Sequence, residues 1–169
     1  MTKAEVQKIL DTYHSKDWND NPYFVYKQHN FKKVKWFLIN NVEEFSFVRD
    51  ILTKEVKKLN EKYFVSEFII LLIYDEGDYF ARHKDQPSGV YTPGGGGTVF
   101  ENKLVYSAGY LLNDDFEGGD FMFEDKKLET EIGELFYFSR DEYHEIKPVT
   151  KGRRFSLHFT IDEEKSSLI

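Results

Sequence analysis

The chain contains no cysteine, which excludes a disulfide framework, a thiolate metal site and a cysteine nucleophile. It also lacks a long apolar run, since the longest, residues 68–74, is far too short to cross a bilayer. The 23 Lys and Arg are outnumbered by 30 Asp and Glu, so the formal net charge of -7 disfavours broad binding to a nucleic-acid backbone. The amphipathic start of the chain shows no signal-peptide pattern, and with the absence of cysteine it predicts a cytoplasmic protein.

Aromatic residues, by contrast, make up 17% of the 169 residues, which favours a packed β core in one domain spanning residues 1–169. Thr2 and Glu5 form a capping-box pattern ahead of a first amphipathic helix, and a longer helix is predicted before residue 63. Short β segments with turn residues between them follow. We therefore predict a mainly β, α+β fold, an antiparallel sandwich or jelly roll, with supporting helices and strands in residues 1–63 and the β core in residues 64–161.

The chemistry concentrates first in residues 74–85, which read YDEGDYFARHKD. If this segment is extended, His83 and Asp85 project from the same face because side chains alternate along a strand. His144, far downstream, is the third candidate ligand. Two histidines and one carboxylate form the facial triad that holds Fe(II) and leaves coordination positions open.

A second polar cluster follows from the strand RRFSLHFTI. Alternation places Arg154, Ser156 and His158 on one face, with Thr160 further along it, and Arg153 on the other. In a closed jelly roll the polar face lines the cavity, where a guanidinium with a neighbouring hydroxyl is suited to bind a carboxylate. The opposite, packing face carries Phe155, Leu157, Phe159 and Ile161.

The order and spacing of these motifs resemble those of the 2-oxoglutarate- and Fe(II)-dependent dioxygenases, and most closely their prolyl 4-hydroxylase-like branch. The matching parts are Y-x-x-G-x-x-x-x-x-H-x-D in residues 74–85, EGG with an aromatic strand in 117–123, and H-x-x-x-P-V-T-x-G-x-R-x-S in 144–156. The resemblance implies a double-stranded β-helix, also called a jelly roll, that uses Fe(II), 2-oxoglutarate and O2. Ascorbate is a further candidate cofactor.

The resemblance also implies roles for individual residues. Iron would be held by His83, Asp85 and His144, and the distal carboxylate of 2-oxoglutarate by Arg154 with help from Ser156. A hydrogen bond to the co-substrate would come from Tyr74. An aspartate at the ligand position favours hydroxylation, because relatives that halogenate lack this carboxylate.

Some positions depart from the family pattern or lie beside it. Collagen-type members carry lysine in place of Arg154, and some relatives place the arginine one residue earlier, where Arg153 stands. The nucleic-acid demethylase branch is expected to have a second arginine where this chain has Thr160. Tyr79 is a candidate second donor to the co-substrate, and His158 a candidate neighbour of the metal.

We therefore predict an enzyme that hydroxylates an unactivated carbon, most plausibly of a prolyl or other residue in a peptide or protein. The Gly- and Pro-rich residues 86–103 directly follow the metal-binding strand and are predicted to form a substrate lid. The alternatives are a nucleic-acid demethylase, a non-catalytic binding domain that keeps the fold, and a cupin-like metalloenzyme that needs no 2-oxoglutarate. No membrane partner is expected, and a nucleic-acid partner is disfavoured.

Overall fold

The computed structural model of the chain describes residues 1–85 and 103–163. The helices in these residues are α1 (Lys3–His14) and α2 (Ser46–Leu59). The strands in these residues are β1 (Phe24–His29), β2 (Lys32–Leu38), β3 (Tyr63–Tyr74), β4 (Tyr79–His83), β5 (Lys103–Leu111), β6 (Glu117–Gly118), β7 (Phe121–Phe123), β8 (Lys126–Lys127), β9 (Phe136–Ser139), β10 (His144–Ile146), β11 (Val149–Lys151) and β12 (Arg154–Glu163).

The two helices cover one side of the sheet. The predicted capping box starts α1: the Thr2 hydroxyl accepts from the Glu5 amide at 3.2 Å, and the Glu5 carboxylate accepts from the Thr2 amide at 2.8 Å. Residues three or four apart on α2 form its buried face, as expected for a helix packed on a sheet. The buried residues of α2 are Val48, Leu52 and Val56. Among the described residues, no helix combines the length and apolar character that crossing a membrane requires.

The strands form one long, antiparallel, strongly curled sheet in the order β8-β7-β10-β4-β2-β3-β12-β5-β9, with β1 also paired to β2. A separate pair consists of β11 and β6. Residues 35–38 of β2 pair with β3, whereas Lys32 and Lys33 pair with β4. β2 therefore continues from one partner to the other while the chain turns at residues 75–78, and the sheet curls far enough for Phe121 of β7 to meet Phe136 and Phe138 of β9, with ring centroids 5.4 and 5.8 Å apart. This is the jelly-roll architecture that the sequence predicts, and the N-terminal region supplies strands of the same sheet.

β3 is buried on both faces, as its continuous apolar run predicts. Ile69, Leu71 and Ile73 belong to the larger core cluster, which also receives the buried residues of both helices. Leu72 and Tyr74 point to the other side, into a smaller cluster. The apolar face of β12 joins the larger core through Phe155, Leu157, Phe159 and Ile161. The opposite faces of β3 and β12 are thereby left to enclose a cavity.

Candidate metal centre

Strand pairing brings the two distant histidines together. His83 ends β4, and His144 begins β10 directly opposite it in the antiparallel ladder. Asp85 lies two residues beyond β4, and its Oδ1 is 3.5 Å from His83 Nε2 and 3.4 Å from His144 Nε2. One ligand atom from each of the three lies within 4.8 Å of the others, which is close enough for all three to hold one ion.

Backbone carbonyls fix the orientation of both imidazoles. His83 Nδ1 is 2.7 Å from the Ala81 carbonyl oxygen, and His144 Nδ1 is 3.0 Å from the Glu142 carbonyl oxygen. A carbonyl can only accept, so each Nδ1 carries the proton. Both Nε2 atoms therefore keep a free lone pair directed toward Asp85. Metal-ligating histidines commonly use this second hydrogen bond.

The Asp85 carboxylate is held from two sides. Ser107, which is completely buried, donates a hydrogen bond to its Oδ2, while Oδ1 faces the histidines. Burial acts to raise the pKa of Asp85, but the electrostatic effect of the neighbouring His144 and His83 imidazoles outweighs it and keeps this pKa well below its usual range. The carboxylate consequently remains ionised, as a cation ligand must be.

Aromatic rings pack around both histidines. The Phe80 ring stacks on His83 with a centroid distance of 3.9 Å and an interplanar angle of 13°. Phe138 and Phe121 lie 4.7 and 5.7 Å from the His144 ring centroid. These contacts restrict the motion of the ligand rings and limit access of water to that side of the site.

The triad opens into a cavity of about 380 Å³, and Arg154 lies at its inner end. Arg154 is only 4% exposed and donates to Ser156 Oγ at 2.8 Å, with its guanidinium 5.4 Å from the Tyr74 ring centroid. No carboxylate of the described residues lies within ion-pair distance of this buried cation. A Cβ at Gly119, where φ is +64°, would lie 3.0 Å from the Arg154 side chain, so glycine is needed there.

The Tyr74 hydroxyl is buried and has no hydrogen-bond partner among the described residues. Burial raises the pKa of Tyr74 well above its usual value, so the hydroxyl stays protonated and able to donate. Burial lowers the pKa of Arg154, yet an arginine remains charged in proteins. Together the two groups offer unused donors to an anion entering the cavity.

The residues flanking these groups follow the expected alternation of faces on β12 but not on β4. Arg153 lies at the surface and pairs with Asp75, whereas His158 lines the cavity together with Ser156. Tyr79 is not among the residues that line the cavity, and Phe80 takes that place. The lining therefore gives no support to Tyr79 as a second donor to the co-substrate, and that role stays a prediction.

This difference has a local cause. Between Phe80 and His83, β4 has two residues where β10 has one, so the ladder contains a bulge. The extra residue shifts the alternation, and positions three apart come to share a face. Burial also lowers the pKa of His158 against the opposing effect of Asp85, which favours a neutral imidazole beside the triad.

Sequence reasoning did not identify several groups at the site. His29, Lys32 and Trp36 all line the cavity. A hydroxyl in the otherwise apolar strand LVYSAGYLL was the available signal for Ser107. The predicted lid, residues 86–103, lies almost entirely outside the described residues.

Several solved structures share the architecture. A Pseudomonas putida prolyl-4-hydroxylase aligns with a TM-score of 0.68 and 15% identity over 98% of this chain and 89% of its own. A viral collagen prolyl hydroxylase from Paramecium Bursaria Chlorella virus-1, in a 2OG complex, gives 0.61 and 14% over 97% and 92%. A Trichoplax adhaerens prolyl hydroxylase bound to a hypoxia inducible factor peptide gives 0.62 and 18% over 95% and 78%. At these identities the similarity shows the fold.

Sequence comparison adds a shorter and closer match. A segment of 68 residues is 40% identical to human prolyl 3-hydroxylase 2, covering 34% of this chain. The match spans only 10% of that relative's length. Residues 69–161, more than half of the chain and including all three triad residues, match the model of the 2OG-Fe(II) oxygenase superfamily. The chain therefore belongs to the 2OG-Fe(II) oxygenase superfamily.

Proposed function

We propose that the protein is an Fe(II)- and 2-oxoglutarate-dependent dioxygenase that hydroxylates a residue, most specifically proline, within a peptide or protein. The observation that carries this proposal is the buried Arg154 guanidinium, which has no carboxylate partner among the described residues and lines the same cavity as the His83, Asp85 and His144 cluster. A metal triad alone fits many reactions. A metal triad with a buried receptor for a carboxylate fits the family's co-substrate.

The donor set suits Fe(II), since two imidazole nitrogens and one carboxylate oxygen form the facial arrangement of non-haem oxygenases. His83 and His144 would bind through Nε2 and Asp85 through Oδ1. When bound, iron with 2-oxoglutarate and O2 supplies the oxidation that hydroxylates a C–H bond and yields succinate. Ser107 keeps the Asp85 carboxylate in place through its hydrogen bond to Oδ2.

The groups at the inner end of the cavity would bind the distal carboxylate of 2-oxoglutarate. Arg154 supplies charge and two nearly parallel donors, a geometry that matches a carboxylate. The Ser156 hydroxyl, which accepts from Arg154, keeps the guanidinium oriented and can donate its own proton to the same carboxylate. The Tyr74 hydroxyl would supply the remaining donor and gain the partner that it lacks.

The choice of substrate follows from the relatives. The solved structures described above are prolyl hydroxylases by name, one of them bound to a peptide, and the human relative is a prolyl 3-hydroxylase. They support a prolyl residue in a peptide as the substrate of this chain.

The proposal is tested by incubating the protein with Fe(II), ascorbate, 2-oxoglutarate and proline-containing peptides. We expect succinate together with a peptide heavier by one oxygen atom, and neither product from the His83→Ala variant. Binding of Mn(II) and N-oxalylglycine without succinate from any peptide would indicate a non-catalytic binding domain instead. Failure to bind Mn(II) would contradict the proposal altogether.

A further inference from the structure

The mouth of the cavity carries cationic side chains in a protein whose formal net charge is -7. The β1–β2 hairpin contributes Lys32 to the cavity lining, and Lys84 lines it from the segment between two metal-binding residues. Lys27 lies nearby, above the same Trp36 ring that Lys32 contacts. This charge distribution is opposite to that of the chain as a whole.

Lys32 is the most confined of these cations. Its Nζ lies 4.7 Å from the Trp36 ring centroid and 4.6 Å from the Phe80 ring centroid. In the described part of the chain, no carboxylate lies within ion-pair distance of this Nζ. The neighbouring residue Lys33, by contrast, pairs with Asp78 at 3.6 Å. Lys32 therefore has its charge held between aromatic faces, with no anionic partner among the residues that the structure describes.

Burial and the nearby Lys27 lower the pKa of Lys32, whereas Asp85 raises it. An ammonium group in such a position gains from any anion that enters, because desolvation strengthens the attraction between opposite charges. A carboxylate of the substrate placed near Lys32 would relieve both the desolvation and the repulsion by Lys27.

The balance of charges with Fe(II) and 2-oxoglutarate bound also favours a negatively charged substrate. Asp85 is the one acidic side chain among the described residues that line the cavity. In the loaded enzyme, the charges of Fe(II) and Arg154 would be cancelled by those of Asp85 and a doubly ionised 2-oxoglutarate. Lys32 and Lys84 would then remain without compensation, and the substrate is the component still to be bound.

We propose that Lys32 determines substrate specificity by pairing with a carboxylate of the substrate, so that the preferred substrate is a peptide with an acidic residue beside its target residue. This inference rests on the proposed function and specifies its substrate class. Exposed Phe31, which also lines the cavity, offers an apolar contact next to the charged one. The hairpin thus presents a basic and aromatic surface to the substrate.

The test uses protein loaded with Mn(II) and N-oxalylglycine, so that binding is measured without turnover. The probes are capped proline pentapeptides that differ only in having glutamate or glutamine on both sides of proline, titrated by calorimetry. We expect the glutamate peptide to bind about five- to tenfold more tightly at low salt, and the preference to shrink at high salt. Lys32→Met should abolish the preference, and Lys32→Arg should retain it.

Matched controls separate the possible results. Lys62→Met removes an exposed lysine away from the cavity and should leave the preference intact. Free proline and prolinamide form a second acid–amide pair. If Lys32 favours the acid only in that pair, the substrate is a small amino acid and the proposed peptide substrate is wrong. The fluorescence of Trp36, which lines the cavity, provides an independent readout of binding.

Two outcomes would overturn the role of Lys32. In one, Lys32→Met weakens the binding of the acid and amide peptides equally. In the other, Lys32→Met loses affinity for N-oxalylglycine but keeps the preference for the acid peptide, which would assign Lys32 to the co-substrate. If the wild-type protein binds neither Mn(II) nor N-oxalylglycine, the proposed function itself fails. If it binds both without any acid preference, only the role of Lys32 fails.

Discussion

β4 and β12 both supply site residues, but only one of them follows the simple alternation of a strand. From Arg154 to Phe159, β12 keeps a residue-by-residue register with β3, so its cavity face and core face are those read from the sequence. β4 contains a bulge before His83, and Phe80 replaces Tyr79 on the cavity wall. Alternation is thus a reliable guide only where the ladder is regular.

The far end of β12 repeats this lesson within one strand. The register with β5 shifts between Ile161 and Asp162, and both consecutive residues are buried. A regular strand with one polar face would have exposed one of the two or directed it into the cavity. The carboxylate of Asp162 instead lies in the interior, where one oxygen has no hydrogen-bond partner among the described residues.

The largest effect is expected from a comparison of two substitutions in β4, one at a proposed metal ligand and one at a residue outside the cavity lining. His83→Ala should weaken Mn(II) binding more than about a hundredfold, the upper figure for losing a group that merely supports a ligand. Tyr79→Phe is the matched control on the same strand and should change neither Mn(II) nor N-oxalylglycine affinity. Calorimetric titration measures both, and reduced N-oxalylglycine affinity in Tyr79→Phe would instead support Tyr79 as a donor to the co-substrate.

The next largest effect is expected from substituting the two adjacent arginines at the start of β12, where the ladder is regular. Arg154→Met should cost about 2–5 kcal/mol of N-oxalylglycine binding, at least roughly thirtyfold in its dissociation constant, because a buried charged donor is lost. Arg153→Met removes a surface cation and should change that constant less than about twofold. Mn(II) affinity should persist in both variants, and equal co-substrate affinity in the two would contradict the assignment of faces.

A smaller effect is expected from the hydroxyl that supports Asp85. Ser107→Ala removes the hydrogen bond to Oδ2 and should lower Mn(II) affinity by about 10- to 100-fold, as for other groups that orient metal ligands. Ser66→Ala is the matched buried control, because its hydroxyl pairs with Thr160 instead. An unchanged metal affinity in Ser107→Ala would show that strand packing alone holds Asp85.

The last effect concerns stability rather than binding, at the irregular end of β12. Burial raises the pKa of Asp162 to about 6 despite the opposing effect of Arg140. This pKa lies above the unfolded value of about 3.9. The stability that the folded protein gains from the neutral carboxyl is therefore fully present below about pH 4 and is lost as pH rises through about 6. Asp162→Asn should therefore gain up to about 3 kcal/mol of unfolding free energy over wild type between about pH 4 and pH 7.

Urea unfolding at several pH values measures this difference. Asp50→Asn, on the exposed side of α2, is the control and should shift stability little with pH. If the free energy of unfolding depends on pH in the same way for wild type and Asp162→Asn, the Asp162 carboxylate is hydrated in solution.

Much of the fold was predictable because its signals are local. The capping box, the apolar faces of the helices and the strand buried on both sides each depend on residues a few positions apart. The family motifs also carried the identity and order of the proposed ligands, although their roles stay predictions. By contrast, the places of Tyr79, His29 and Lys32 depend on a bulge and on a hairpin that folds over the cavity, and no local pattern encodes either.

The sequence by itself determined the ligand types, the two faces of residues 154–159 and the mainly β class, because composition and short-range periodicity decide which side of an element is buried. Only the tertiary structure decided that His144 lies opposite His83, that Ser107 supports Asp85 and that Lys32 faces the same cavity. These relations arise from strand pairing between segments far apart in the chain. Such pairing is selected by packing the whole sheet at once, so each register follows from all the others.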